Sequence, residues 1–163
     1  MTVRLYPMAS GRIIKIVGQF RYTLALRLRH PIIDPAEITR ELALDPEHNW
    51  KAGQPRFTPR GDPLPGVYRN SYWISPIIVN QDSTLSHSIA DALKLLKPHK
   101  SFLEAFRRSG GSIGYFIGWF SERNSGALLD WALLKSLSEL QIDLELDFYG
   151  GPDRNVIDAE QPQ

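Results

Sequence analysis

A long segment rich in proline and glycine, residues 49–76, limits the elements that this chain can form. Each proline removes a backbone hydrogen-bond donor and fixes φ, and each glycine permits turns that other residues resist. We therefore expect neither a helix nor a strand to run through the segment. Its aromatic side chains provide apolar surface, so the prediction is a loop packed on the domain, of the kind that often carries a binding site. The prolines, glycines and aromatic residues concerned are Pro55, Pro59, Pro63, Pro65, Pro76, Gly53, Gly61, Gly66, Trp50, Phe57, Tyr68, Tyr72 and Trp73.

The composition is typical of one domain in a reducing compartment. The chain has 163 residues, a formal net charge of +1 and no cysteine. The absence of cysteine excludes disulfides, thiolate nucleophiles and cysteine-bound zinc. No apolar run approaches the ~20 residues that a membrane span requires. We expect a cytoplasmic protein with one α+β domain over residues 19–150, a tail or an edge strand over residues 1–18 and a frayed tail over residues 151–163.

Local patterns predict the elements of the first half. Residues 20–30 alternate as a strand with one apolar face. Asp34 and Pro35 provide an N-cap and the proline typical of the first helical position, which predicts a short helix over residues 35–42. Short strands are expected at both ends of the proline-rich segment. The apolar face of the first strand consists of Tyr22, Leu24, Leu26 and Leu28.

Helical spacing of apolar residues predicts three helices in the second half. The first is capped by Asp82 or Ser83, the second covers residues 101–108, and the third has a leucine-rich seam. The seams of the first and third helices are Leu85, Ile89, Ala92, Leu93 and Leu96, and Leu129, Leu133, Ser136, Leu137 and Leu140.

Two strands accompany these helices. Residues 112–120 are apolar on both faces, which indicates a central strand in which Gly114 and Gly118 admit a closely packed helix. The last strand alternates, and its apolar residues are expected to face the core. These apolar residues are Ile142, Leu144, Leu146 and Phe148.

Opposite charges lie on the outer faces of the first and last strands. Opposite charges paired across strands contribute ~0.2–1 kcal/mol each, so we expect these two strands to be neighbours. The predicted fold class is α+β, a single-domain two-layer sandwich with a largely antiparallel sheet, helices on one face and a ferredoxin-like β-α-β order. The charged residues are Arg21, Arg27 and Arg29 on the first strand, and Asp143, Glu145 and Asp147 on the last.

Several short motifs occur in a fixed order along the chain. They are Asp34-Pro35-x-x-Ile38, Leu42-x-Leu44-x-Pro46, Trp50-x-x-Gly53, Ser71-x-Trp73, Leu85-x-His87 with Leu93 and Pro98, the turn at Ser121, and Asp147-Phe148-Tyr149. These motifs resemble those of a bacterial family of domains of unknown function, number 4279. The resemblance covers residues 20–150 and implies a small α+β domain of bacterial origin. It implies no reaction, cofactor or substrate.

The leading functional hypothesis is a binding or interaction module without a cofactor. Aromatic and basic residues alternate in the proline-rich segment, and they suit an anionic small ligand or an acidic surface of a protein partner. An edge strand is expected to add a homodimer contact. The predicted ligand- or partner-binding residues are Trp50, Arg56, Arg60, Arg69 and Trp73.

Two other functions are compatible with the sequence. The first is a small hydrolase or transferase in which His87, oriented by Asp91, is the general base and Arg60 or Arg69 holds an anionic substrate. The second is binding of single-stranded nucleic acid, which combines basic and stacking side chains. The net charge near zero disfavours the second hypothesis. The four histidines lack the spacing of a metal motif, so no metal is expected.

Overall fold

The structure is a computed structural model that describes residues 5–7, 13–15, 20–58, 60–79, 83–122 and 124–150. Within these residues a six-stranded sheet is accompanied by two separate two-stranded sheets. The expected C-terminal tail over residues 151–163 lies outside the described residues. The predicted α+β class is confirmed. The elements are β1 (Leu5–Pro7), β2 (Ile13–Lys15), β3 (Arg21–His30), α1 (Pro35–Leu42), β4 (His48–Trp50), β5 (Pro55–Phe57), β6 (Pro63–Val67), β7 (Ser71–Ile74), β8 (Ile78–Val79), α2 (Leu85–Leu96), a 3₁₀ turn (Lys97–His99), α3 (Lys100–Arg108), β9 (Ser112–Ser121), α4 (Trp131–Glu139) and β10 (Asp143–Gly150).

The six-stranded sheet is mainly antiparallel, and β3 lies near its centre. The strand order is β10-β9-β3-β7-β4, and β8 pairs with the beginning of β3. The pairs of β3 with β9 and β7, and of β4 with β7, are antiparallel, while β10 runs parallel to β9. The helix α4 connects the two parallel strands, as a parallel connection requires.

The prediction that the first and last strands are neighbours is wrong. Between β3 and β10 lies β9, because the β9-α4-β10 unit places its two strands side by side. The ferredoxin-like order is therefore not confirmed. Arg27 and Arg29 of β3 nevertheless form ion pairs with Glu145 of β10 across the intervening β9.

Caps set the beginnings of the helices. The carboxylate of Asp34 accepts a hydrogen bond from the Ala36 amide at 3.0 Å, and α1 spans the predicted residues. Thr84 caps α2, one residue beyond the predicted cap, and accepts from the His87 amide at 3.3 Å. Asp130 caps α4 through the Leu133 amide at 2.9 Å.

The core lies between the helices and one face of the sheet. Trp73 is fully buried there, and its indole Nε1 donates to Thr39 Oγ1 on α1 at 3.1 Å. The apolar face of β3 is buried as predicted, together with the α2 seam. No helix among the described residues is both long and apolar enough to cross a bilayer.

His30 fixes the connection from β3 to α1. Its Nδ1 accepts hydrogen bonds from the amides of Ile32 and Ile33 at 3.1 and 3.0 Å, and its Nε2 lies 3.0 Å from Ser109 Oγ. An Nδ1 that accepts two amide protons carries none, so Nε2 bears the proton and donates to Ser109. Both ring nitrogens are engaged, and His30 offers none to a metal.

The middle of the proline-rich segment departs from the prediction. It forms an exposed two-stranded hairpin, β5-β6, instead of a packed loop. A two-stranded ribbon has two outer edges, and proline is tolerated there because the missing amide would face solvent. We call residues 55–67 the arm. The short strands predicted at the ends of the segment are confirmed as β4 and β7.

The structure also corrects two expectations, one about the burial of β10 and one about the glycines of β9. Leu146 and Phe148 lie on the inward face by alternation but remain 47% and 66% exposed. The glycines of β9 do not face the helices. A Cβ at Gly118 would lie 2.5 Å from Thr23 Oγ1, so this glycine makes room for a side chain of the adjacent strand.

Candidate functional site

The sheet face opposite the helices, here the open face, carries aromatic and charged side chains. On β3 the residues that alternate with the core-facing leucines include Arg27 and Arg29. In register with Arg29 on β7 is Tyr72, and in register with Tyr72 on β4 is Trp50. Strand pairing thus aligns two arginines and two aromatic rings on one surface.

Arg27 and Arg29 share one carboxylate. Glu145 of β10 accepts from Arg29 at 2.8 Å (Nη1 to Oε1) and 3.2 Å (Nη2 to Oε2), and from Arg27 Nη1 at 3.3 Å (Oε2). The hydrogen bond from Arg29 is the largest cause that lowers the pKa of Glu145, and the same bond raises the pKa of Arg29. Two of the three guanidinium–carboxylate bonds form a bidentate pair, the strongest geometry for such groups.

Gly114 of β9 makes this contact possible. It lies in register between Arg27 on β3 and Asp143 on β10. A Cβ at Gly114 would stand 2.9 Å from Glu145 Oε1, closer than real contacts allow. The missing side chain leaves a passage through which the carboxylate of β10 reaches across β9 to the arginines of β3.

Arg27 is the more enclosed of the two arginines. Its guanidinium carbon lies 3.5 Å from the centroid of the Phe116 ring, in cation–π contact, and its side chain is 21% exposed. Its Nε is buried and has no hydrogen-bond partner among the described residues. Phe116 therefore fixes the guanidinium plane, and Arg27 enters the site in a defined orientation.

The aromatic side of the site is a stack around Trp50. Its ring lies 4.7 Å from Tyr68 and 4.2 Å from Tyr72, and both tyrosine planes are inclined by 19° to the indole. The guanidinium of Arg29 lies 5.7 Å from the Tyr72 ring. A continuous series of contacts therefore runs across the open face from Glu145 to Tyr68.

Between the arginines and the stack lies a pocket of about 420 Å³. It is open to solvent, and Arg69 at its rim forms no hydrogen bond or ion pair with any residue that the structure describes. Three arginines against the single carboxylate of Glu145 leave a local charge of +2. We call this cavity the arginine pocket; its lining residues are Arg27, Arg29, Trp50, Arg69, Asn70, Ser71 and Tyr72.

A family model described as Domain of unknown function (DUF4279) matches residues 20–151. The chain belongs to this family. The resemblance expected from the short motifs is thereby confirmed. In this DUF4279 chain the match extends over the whole six-stranded sheet, and so it includes every residue of the arginine pocket. Searches of curated proteins and of solved structures found no match.

The structure brings only part of the predicted ligand-binding set together. Trp50 and Arg69 line the arginine pocket, whereas Arg56 and Arg60 lie on the arm outside it. Trp73 is fully buried, faces the core and does not line the arginine pocket.

Five lining residues of the arginine pocket are outside the predicted binding set: Arg27, Arg29, Asn70, Ser71 and Tyr72. The sequence placed Arg27 and Arg29 on the outer face of the first strand, opposite the acidic residues of the last strand, and Tyr72 on the apolar surface of a packed loop. The signal that could have identified them was the basic alternation within β3, combined with the aromatic residues of the segment that pairs with it.

The predicted acid-base pair lies elsewhere. His87 and Asp91 are exposed on α2, in the helical layer, on the opposite side of the sheet from the arginine pocket. Asp91 accepts from Lys94 Nζ at 2.8 Å, and this bond lowers the pKa of the Asp91 carboxyl. Asp91 is therefore held by a lysine, and no arginine of the pocket is near His87. Among the described residues no group of three or more potential metal ligands is found.

Proposed function

We propose that this DUF4279 domain is a cytoplasmic binding module that takes an anionic group into the arginine pocket. The observation that carries the proposal is the convergence of Arg27, Arg29 and Arg69 on one cavity with a single carboxylate beside them. The group is a carboxylate or a phosphate, on a small molecule or on a side chain of a protein partner.

The electrostatics favour an anion in this position. One carboxylate leaves the arginine pocket with excess positive charge, and guanidinium groups recognise carboxylate and phosphate through paired N–H donors. Arg29 uses two of its five N–H groups on Glu145, so others remain for a ligand. Arg69 adds a cation that no described residue neutralises.

The other two hypotheses gain nothing from the geometry. A hydrolase based on His87 requires its base and its anion-binding arginines on one surface, and the sheet separates them. Single-stranded nucleic acid requires rings free to stack on bases. Trp50, the ring of the site with the largest surface, is already stacked with two tyrosines.

Thermal unfolding at low ionic strength tests the proposal. We expect inorganic phosphate or citrate to raise the Tm of the full chain at concentrations where sodium chloride of equal ionic strength does not, because a ligand that binds only the folded state stabilises it. A hexaglutamate peptide compared with citrate distinguishes a partner's acidic side chains from a small anion. Arg69→Gln should raise the dissociation constant of the anion about tenfold, which corresponds to ~1.4 kcal/mol of binding free energy, and the Tm shift at a given anion concentration should be smaller.

The matched control is Arg56→Gln, which removes an exposed arginine of the same segment from the arm. It should respond like the wild type, because Arg56 lies outside the arginine pocket. The proposal is wrong if none of the three anions shifts the Tm, or if Arg69→Gln and the wild type respond equally.

A further inference from the structure

The outer edge of β10 is an unpaired strand with an apolar face. The strand has eight residues, Asp143–Gly150, and pairs on one side with β9; no strand among the described residues pairs on its other side. Its helix-facing side chains Leu146 and Phe148 are 47% and 66% exposed. An edge of this length with exposed apolar residues is a template for another strand.

The neighbouring helix extends this apolar surface. Leu134 of α4 lines a groove of about 630 Å³ together with Ile142 and Leu144 at the beginning of β10. Trp131 lies one turn earlier on the same side of α4 and is 76% exposed. Exposed apolar side chains therefore lie both on α4 and on the edge strand β10, and exposed apolar surface marks interaction sites.

The charges of β10 differ in how far they are neutralised. Glu145 is bound by Arg27 and Arg29, and Asp143 by Arg107 Nη2 at 2.6 Å. Asp147 accepts only the hydroxyl of Tyr149 at 2.8 Å and makes no ion pair with any described residue. The acidic edge therefore has one uncompensated carboxylate next to a cluster, Arg27-Arg29-Glu145, with a net charge of +1.

We propose that the partner of this edge is a second copy of the chain, whose β10 pairs antiparallel with the first around a twofold axis at Leu146. In this register Leu146 faces its own copy, and Leu144 faces Phe148 of the second chain. On the open face Asp147 comes opposite Glu145 of the second chain, whose carboxylate Arg27 and Arg29 already neutralise. The contact is made twice, as twofold symmetry requires.

The two nearest registers that keep the faces aligned are disfavoured by charge. An axis at Asp147 sets two copies of the uncompensated carboxylate directly opposite each other, which destabilises a pair of strands. An axis at Glu145 pairs apolar residues as well, Leu144 with Leu146 and Phe148 with Ile142, but it sets the two Arg27-Arg29-Glu145 clusters, each of net charge +1, opposite each other. Of the three axes, the one at Leu146 places the free carboxylate beside a cluster of opposite net charge.

Cysteine cross-linking tests the register, because the chain has no cysteine of its own. Directly opposed residues of antiparallel strands have Cα atoms about 4.5–5.5 Å apart, within the ~4.4–6.8 Å that a disulfide spans. We expect Leu146→Cys to form a disulfide-linked dimer under mild oxidation at low micromolar concentration. Leu146 is half-exposed, so the substitution leaves the fold of each chain intact.

Phe148→Cys is the matched control, since Phe148 is even more exposed than Leu146 but faces Leu144 of the second chain. It should remain monomeric alone and cross-link when mixed with Leu144→Cys. In light scattering the wild type should form dimers that dissociate on dilution, and Leu146→Lys should raise the dissociation constant at least tenfold, because two ammonium groups would meet on the axis.

Three results would overturn the proposal. The first is a wild type that is monomeric at every concentration, and the second is a Phe148→Cys variant that cross-links as readily as Leu146→Cys. The third is a monomeric full chain whose version ending at residue 151 dimerises, which would identify residues 152–163 as the occupant of the edge.

Discussion

Glu145 links the last strand of the sheet to its arginines, and its charge state should govern stability at acid pH. The bond from Arg29 lowers the pKa of this carboxyl in the folded state. A carboxyl whose pKa is depressed by folding stabilises the protein above its unfolded pKa, and the contribution is lost as pH falls through the folded value. The loss therefore begins at about pH 4.3, the value of an unperturbed glutamate, and continues below it.

We expect Glu145→Gln to lose roughly 1–2 kcal/mol of unfolding free energy at pH 7, because Arg27 and Arg29 lose a charged acceptor in a half-buried position. The difference between the variant and the wild type should shrink as the pH is lowered from 5 to 3. Urea unfolding at a series of pH values measures both effects.

Glu139→Gln is the control for this experiment. Among the described residues its carboxylate pairs with the exposed Lys135 alone, at 3.9 Å on α4, and exposed pairs of this kind contribute little. A Glu139→Gln variant with the same loss and the same pH dependence as Glu145→Gln would show that the effect is one of general charge, and the role assigned to the Arg27-Arg29-Glu145 cluster would be wrong.

Among the elements, the arm is one that we expect the rest of the domain to fold without. All residues of β5 and β6 are exposed. At the base of the arm the Tyr68 amide donates to the Gln54 carbonyl at 3.0 Å. The same bond would close a two-residue turn if two residues replaced the arm. The two strands that enter and leave the arm are therefore already placed for a tight connection.

Replacing residues 55–67 by Asn-Gly, the dipeptide favoured in two-residue hairpins, should leave the free energy of unfolding within ~1 kcal/mol of the wild type. The shortened chain should also keep its response to phosphate or citrate, since Trp50, Arg69 and Tyr72 are retained. Chemical denaturation and the anion-dependent Tm shift measure the two outcomes.

Trp73→Ala provides the comparison within the same segment. Its side chain is fully buried, and truncation of such a residue costs ~3–5 kcal/mol. An arm replacement that destabilises the domain as much as Trp73→Ala would mean that the arm packs on the body. If replacing the arm abolished the anion-dependent Tm shift, the anion would bind at Arg56 and Arg60 on the arm and not in the arginine pocket.

Local patterns predicted most of these elements because the signals that define them are local. The Asp34-Pro35 pair gave the bounds of α1, and alternation predicted which face of β3 is buried. The hairpin β5-β6 was missed because its prolines oppose a strand in any sheet interior, and only its isolation from the sheet makes them acceptable. That isolation is a property of the whole fold.

At the scale of the molecule, the site depends on strand order, and local patterns do not determine strand order. The arginine pocket combines residues of β3, β4 and β7 with the loop before β7, and its charge is set by Glu145 from β10. The opposite charges of β3 and β10 predicted contact correctly, but contact through Gly114 across an intervening strand could not be distinguished from direct pairing. Trp50 and Arg69 could be predicted as binding residues because both lie in the proline-rich segment, residues 49–76.

The same strand order should determine which amides exchange with solvent. β3 is paired along both edges, and its side chains Leu24 and Leu28 are fully buried. Amides of β3 and β9 should therefore open only with global unfolding and exchange most slowly, while amides of the arm should exchange fastest. Hydrogen exchange followed by mass spectrometry gives this order directly.

Amide exchange of β10 distinguishes the monomer from the proposed dimer in the same experiment. In one chain alone only the amides directed toward β9 are hydrogen-bonded to another strand, so protection of Asp143–Gly150 should be partial. If two copies pair at this edge, the outward amides gain partners, and protection of the strand rises with protein concentration while that of β3 stays constant. Protection of β10 that is complete and independent of concentration would place its partner within the same chain. Slow exchange in the arm would show that β5 and β6 do not form an exposed hairpin, and the arm would then not be dispensable.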